Sequence, residues 1–335
     1  MNNDKIDFVI TWVDGNDSAW QKERNLYAGY EQLEIDNNPC RFREWDTLRY
    51  WFRGVEKFAP WVNNIFFITW GHLPEWLNVN HPKLKILKHS DYIPKEYLPT
   101  FNSNVIEFFF HKIEDLSEHF VYFNDDMFLI DYVKPTRFFK NGLPCDVAAM
   151  RSIINRGMFG TAIYLANMLI NEHFNKRESI KKNYFKWYNI NSVSNLFRNI
   201  IYYFVAGKWF AGFVDYHLPQ SYLKKTYEEV WKKCEKDLLR ISNHKFRQYG
   251  DVSIWLIRYW QLASGNFTPY NVVKDGFLYN IDEHNISSIS NCIRRQSLKM
   301  VCLNDNEKTE PFDKYKQVIC DAFEAILPEK SLFEK

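Results

Sequence analysis

The strongest constraint in this sequence is an alternation that runs through its first 150 residues. Short runs rich in Ile, Val and Phe alternate with stretches whose apolar residues recur at helical spacing. Lys5–Val13 reads as a buried strand, Asn64–Thr69 and Lys85–Lys88 as two more, Phe120–Phe123 as a fourth and Val147–Met150 as a fifth. Between them, Trp45–Phe58 sets Leu48, Trp51, Phe52 and Val55 on one helical face. Ser103–Leu116 does the same with Ile106, Phe109, Phe110, Ile113 and Leu116, and Ser103 reads as the N-cap. This order predicts an α/β fold, a mostly parallel sheet flanked by helices. Residues 151–245 read as a helical, basic insertion or lid. Residues 246–335 return to mixed structure, with helices at Val252–Ala263 and Phe312–Leu327 and a strand at Lys299–Leu303. No linker or repeat divides the chain, so 1–335 is expected to be one domain, with 1–150 and 246–335 as its α/β core.

Composition supplies the core. Phe, Tyr and Trp make up 18% of the 335 residues and Gly only 12 of them, which excludes a disordered or collagen-like chain. The net charge of +2 gives no reason to expect nucleic acid as a partner. That balance hides an asymmetry. Residues 173–250 hold 15 Lys and Arg against 6 Asp and Glu, a net of +9; the remainder holds 28 against 35, a net of −7. The basic stretch interleaves with Trp187, Tyr188, Phe197, Tyr202, Tyr203, Trp209 and Phe210, so it reads either as a solvated face or as a surface for an anionic polymer or membrane headgroups. The apolar run Ile200–Val214 is interrupted by Lys208 and too short to span a bilayer; it suits a core helix or an interfacial segment. The six cysteines, at 40, 145, 234, 292, 302 and 320, form no CxxC pair and read as free, mostly buried thiols of a reducing compartment.

Open α/β sheets bind ligands beyond the carboxyl ends of their strands. Three predicted strands here end in acidic or amide groups: Asp14-Gly15, Asn124-Asp125-Asp126 and Asn304-Asp305-Asn306. Such residues also favour turns for local reasons. As a set they form an oxygen-rich group suited to Mg²⁺ or Mn²⁺ held together with substrate phosphates. Neither a Walker A loop nor a GxGxxG is present, which removes the main signal for a kinase or a dinucleotide enzyme. Asn102 and Ser103 open a helix whose free N–H groups suit an anion, or simply cap it. Glu107 and His111 share one face of that helix, as an ion pair would. His217 and Arg247, with Asp251 four residues on, are candidates for a base and for a cation facing phosphate oxygens.

These segments resemble the four blocks of the Stealth family, which includes bacterial capsular-polysaccharide sugar-1-phosphate transferases and the catalytic subunit of the eukaryotic GlcNAc-1-phosphotransferase of lysosomal-enzyme tagging. The first block is IDFVITWVDGND, residues 6–17. The second covers about 41–129 and includes LPTFNSNVIEFFFHKIEDLSEHFVYFNDDMFL. The third contains YHLPQSYL and HKFRQYGDVS, and the fourth is VCLNDNEK with ILPEKSLFE after it. Trp70-Gly71-His72 departs from the Asp–Gly pair of many relatives, and Trp70 is given no role.

The resemblance implies transfer of an intact sugar 1-phosphate from a UDP-sugar (UDP-GlcNAc or another UDP-hexose) to a glycan hydroxyl. The product is a phosphodiester, UMP leaves, and Mg²⁺ or Mn²⁺ assists. It carries motif positions onto Asp14, Asn102, Ser103, Glu107, Asn124, Asp125, Asp126, His217, Arg247, Asp251, Asp305 and Asn306. Of these, Asp125, Asp126 and Asp305 are expected at the metal. Arg247 is expected at the phosphoryl oxygens, and His217 or, second, Asp14 as base. Asn102, Ser103, Glu107, Asn124, Asp251 and Asn306 are expected to bind substrate. The expected setting is the bacterial cytoplasm, with a peripheral contact to the inner membrane face. The rival readings are a metal-dependent glycosyltransferase that releases UDP and a non-catalytic sugar-binding module built on the aromatics.

Overall fold

The computed structural model describes residues 5–29, 43–154, 157–306, 309 and 311–335. Cys40 and the end of the fourth block, Glu307 and Lys308, lie outside them.

The first strand, β1 (Ile6–Thr11), is buried on both faces. Ile6, Phe8 and Ile10 point to one hydrophobic cluster and Val9 to a second on the opposite face. The buried Asp7 accepts from the Asn63 side chain, the Asn64 N–H and the Ser117 N–H, so it ties two loops to the strand. α1 (Ser18–Ala28) begins at Asp17, whose side chain accepts from the Trp20 N–H. α2 (Leu48–Phe58) buries Leu48, Trp51, Phe52 and Val55, as its spacing predicts. Parallel strands β2 (Ile65–Thr69) and β3 (Leu84–Lys88) follow. Next come the short α3 (Ser103–Phe108), β4 (His119–Phe123), parallel to β1, and β5 (Met127–Leu129). Gly54 of α2 lies so close to the Leu129 carbonyl that a Cβ would sit 2.9 Å from it, so the helix can approach β5 only without a side chain there.

After a small hairpin of β6 (Phe139–Lys140) and β7 (Leu143–Asp146) comes a run of helices: α4 (Gly157–His173), α5 (Lys176–Lys182), α6 (Tyr184–Trp187) and α7 (Val193–Phe204). β8 (Gln220–Leu223) then pairs antiparallel with β4 and completes a five-stranded sheet in the order β3-β2-β1-β4-β8. α8 (Lys224–Ser242) and α9 (Trp255–Ser264) pack on the second cluster. β9 (Thr268–Pro269) pairs with β7. Finally β10 (Gly276–Asn280), α10 (Ile286–Arg294), β11 (Met300–Asn304) and α11 (Phe312–Ile326) cover the first cluster, with β10-β11-β5 as a second small sheet. Helices therefore flank both faces of a mostly parallel sheet, the predicted α/β class.

The structure corrects several local expectations. Val147–Met150 is not a strand: β7 ends at Asp146, and Met150 only bridges Phe213. The helix expected over 103–116 stops at Phe108 and continues as a single 3₁₀ turn, Phe110–Lys112. Its apolar rhythm persists because Phe109, Phe110, Ile113 and Leu116 still pack on the second cluster after the α-helix has ended. Asn102, not Ser103, is the N-cap; its side chain accepts from the Asn104 N–H. The stretch 151–245 is not helical throughout, because β8 is an edge strand of the main sheet. Among the described residues, no helix is long and apolar enough to cross a membrane.

Candidate active site

β4 belongs to the main sheet and β5 to the small one, so the turn between them, Asn124-Asp125-Asp126, is the seam of the two sheets. The Leu303 N–H donates to the Asp126 carbonyl (2.8 Å), which brings the end of β11 to the same place. Above this seam opens a cavity of about 1120 Å³. Ser103, Glu107, Asn124, Asp125, Asp126, His217, Arg247, Asp251, Asp305 and Asn306 all line it; Asp14 and Asn102 do not.

One wall is acidic. Asp126 Oδ2 lies 3.7 Å from His217 Nε2, and the Asn124 amide nitrogen lies 3.3 Å from the same ring atom. Burial acts to lower the pKa of His217, but the Asp126 carboxylate outweighs it and the net shift is upward. Asp126 Oδ1 is buried with no hydrogen-bond partner. Cys302, buried on β11, brings its thiol close enough that ligand atoms of Asp126, His217 and Cys302 lie within 4.8 Å of one another. Burial first, then Asp126 beside it, push the pKa of that thiol upward. Asp125 is exposed to the cavity yet enclosed by its walls; that enclosure, then Asp126 and Glu44, push its carboxyl up to about 7.

A cation fits this wall. A buried carboxylate oxygen without a donor is costly unless a positive charge meets it, and two adjacent aspartates provide hard oxygen ligands. Asp305 is placed differently from the expectation. Arg43 holds both its oxygens, at 2.9 and 2.8 Å, and the Trp45 indole donates to one of them at 3.2 Å. Asn306 anchors its loop by donating to the Ile281 carbonyl.

The opposite wall is a chain of hydrogen bonds. Arg247 Nε donates to Ser103 Oγ (3.1 Å). The single proton of that hydroxyl remains for Glu107, to which Ser103 is bonded. Tyr122 also donates to Glu107, at 3.1 Å. Burial nevertheless pushes the Glu107 carboxyl up to about 7, against the pull of Arg247, Tyr122, Ser103 and His217. His111 takes no part: its ring bonds the Phe108 carbonyl, and burial pushes it down to about 4.

Behind this wall, Asn102 is fully buried and donates to Asp251 (2.9 Å) and the Phe246 carbonyl (3.2 Å). Asp251 in turn bonds His244 (2.6 Å) and accepts from the Gln248 N–H. The loop bearing Arg247 is thus stitched to the start of α3. Asn102 is that stitch and does not line the cavity. Asp14 lies off the cavity wall, accepts from the Asn16 N–H, and donates its own N–H to His72 Nε2 (2.7 Å). Trp70 donates to Glu23.

Sequence reading missed Asp215. One of its oxygens accepts from Tyr259 (2.7 Å) and Arg258 (3.3 Å), while Oδ2 is buried and unpartnered; the residue lines the cavity. Arg258 also pairs bidentately with Asp146, so the position is rigid. No motif spacing marks it; only its place two residues before His217 could have pointed to it. Arg43, the partner of Asp305, was equally invisible because 262 residues separate the pair.

Residues 4–31 match Stealth protein CR1, conserved region 1, and residues 41–146 match Stealth protein CR2, conserved region 2. The capsular polysaccharide phosphotransferase WcwK of Streptococcus pneumoniae is 45% identical, covering 100% of this chain and 99% of its own. This chain belongs to the Stealth family. Other Stealth relatives include the receptor polysaccharide phosphotransferase WefC of Streptococcus gordonii, 38% identical over 99% of both chains. The exopolysaccharide phosphotransferase cps2G of Lactiplantibacillus plantarum is 38% identical over 98% of this chain and 96% of its own. Among solved structures, the apo WbbM bifunctional glycosyltransferase aligns at a TM-score of 0.41 and 10% identity, covering 96% of this chain and 50% of that one. The galactosyltransferase LgtC with donor and acceptor sugar analogs aligns at 0.38 and 12%, covering 94% and 95%.

Proposed function

We propose that this Stealth protein is a polysaccharide phosphotransferase that moves an intact hexose 1-phosphate from a UDP-sugar to a glycan hydroxyl, in capsular or exopolysaccharide synthesis. One observation carries the reading: a single cavity sets a bare buried carboxylate oxygen beside an imidazole, Asp126 and His217, and faces them with Arg247 and Glu107. The names of the full-length relatives support the polysaccharide context.

In this reading the acceptor oxygen bonds to the sugar-bearing phosphorus, the bridging P–O bond breaks, and UMP leaves. The hydroxyl proton passes to a base. Asp126 and Asp125 would hold Mg²⁺ or Mn²⁺, which when bound offsets the charge of the diphosphate and of the leaving UMP. Asp305 supports that wall through Arg43 instead of ligating. Arg247 meets the phosphoryl oxygens, oriented by Ser103 and by the Asn102–Asp251 stitch behind it. His217 is the base. Glu107, with its acid form persisting to about 7, replaces Asp14 as the second choice, because Asp14 is off the cavity wall. Asp215 Oδ2 accepts from an acceptor-sugar hydroxyl. A nucleotide-sugar donor puts the reaction in the bacterial cytoplasm.

The test is the identity of the released nucleotide. UDP-hexoses are incubated with glycan acceptor and Mg²⁺ or Mn²⁺, and the nucleotide is separated by chromatography. UMP together with a phosphodiester-linked product agrees with the proposal. UDP with a plain glycoside transfers the site to the glycosyltransferase reading.

A further inference from the structure

Helix α7 is built inside out. A surface helix normally turns its apolar stripe to the core. Here Val193, Phe197, Ile200, Ile201 and Phe204 stand at helical spacing, and all five face solvent, Phe197 at 62% and Phe204 at 76% exposure. The two side chains that the helix buries fully are polar, with Tyr202 and Tyr203 half-buried on the second cluster. Asn199, 1% exposed, donates to the Ala148 and Trp187 carbonyls and accepts from the Met150 N–H; Asn195, 5% exposed, donates to the Tyr216 hydroxyl. Those amide bonds fix the helix's rotation, so the apolar side cannot roll inward without leaving buried polar groups unpaired. Phe185, Ile190 and Trp209 extend the exposed apolar surface on either side in sequence.

The charge around this surface has one sign. From Tyr184 to Trp209 the ionisable chain charges are Lys186, Arg198 and Lys208, with no Asp or Glu, and the exposed Lys181 and Lys182 precede them. A two-fold contact with a second copy would set these cations against one another. An anionic surface with an apolar interior meets both features: aromatic and branched side chains enter the acyl boundary while Lys and Arg reach the headgroups.

We propose that α7 docks this protein on the headgroup region of an anionic membrane, its Phe197–Ile201–Phe204 stripe inserted and its basic neighbours on the lipid phosphates. Flotation of the full chain with phosphatidylglycerol–phosphatidylcholine vesicles tests this. The wild type should float with anionic vesicles, and less at high salt or with phosphatidylcholine alone. The triple variant F197S/I201S/F204S should partition at least about tenfold more weakly, with an unchanged melting temperature. R198E/K208E should lose the preference for anionic lipid. The proposal is overturned if the wild type stays with the pellet, or if the triple variant floats equally well. It is also overturned if the wild type sediments as a dimer that the triple variant dissolves, which would give the face to a second copy. The assay reads no turnover, so its outcome is separate from that of the proposed reaction.

Discussion

The two walls of the cavity are built to opposite rules. The Asp125–Asp126–His217 wall leaves a buried carboxylate oxygen unpartnered and holds two acids against each other. The Arg247–Ser103–Glu107 wall pairs each of its polar groups with a protein partner. A wall with an unmet charge is completed by what binds; a wall already bonded to itself is ready before anything binds. The acidic wall also rests on the two sheets, whereas the basic wall rests on a loop and a six-residue helix that Asn102 and Asp251 join.

The largest effect should come from the acidic wall. Asp126→Asn is expected to lower turnover by about a thousandfold or more and to abolish binding of Mn²⁺ measured without substrate. Full activation by metal in that variant would end the assignment. Arg247→Ala is expected to cost about a hundredfold to a thousandfold in turnover while Mn²⁺ affinity stays unchanged. Equal loss of metal binding in both variants would show that the walls are one unit.

Third is Asp215→Asn, expected to raise the acceptor KM about tenfold with the donor KM unchanged; a matching rise in both would remove Asp215 from the acceptor side.

The smallest effect is on stability. The folded Glu107 carboxyl, near 7, takes up its proton more readily than in the unfolded chain, where it titrates near 4.5. Between those values the folded state binds more protons, so metal-free stability should fall as pH rises from about 5 to about 8, by up to about 3 kcal/mol from this group. Glu107→Gln should flatten that fall in a melting-temperature series. An unchanged slope would mean that Glu107 is solvated in the folded protein.

Much of this was legible. The strands at Ile6, Ile65, His119 and Met300 fell where the apolar runs stood, because a strand buried on both faces needs such a run, and the half-exposed edge strand at Leu84 fell on the shorter one. The acidic turn at Asn124–Asp126 was visible as a strand end. The roles of Asp305 and Asn102 were not. One chooses Arg43 and the other Asp251, and both partners are brought in from far along the chain. Helix α3 was overread because packing kept its apolar spacing going after the backbone had left the helix at Phe109.

The sequence by itself determined the order of strands and helices, since alternation and helical period are properties of neighbouring residues. It also determined that three element ends carry Asp and Asn. Only the tertiary structure decided that β11 runs antiparallel to β5, which sets Cys302 against Asp126 and gives Asp305 to Arg43. It likewise decided which way an amphipathic helix turns. α2 and α7 both show an apolar stripe in sequence, yet α2 buries its stripe and α7 exposes it. The period fixes that two faces exist. Which face lies inward depends on the groups waiting there, a sheet of aromatics for α2 and unpaired backbone carbonyls for Asn199.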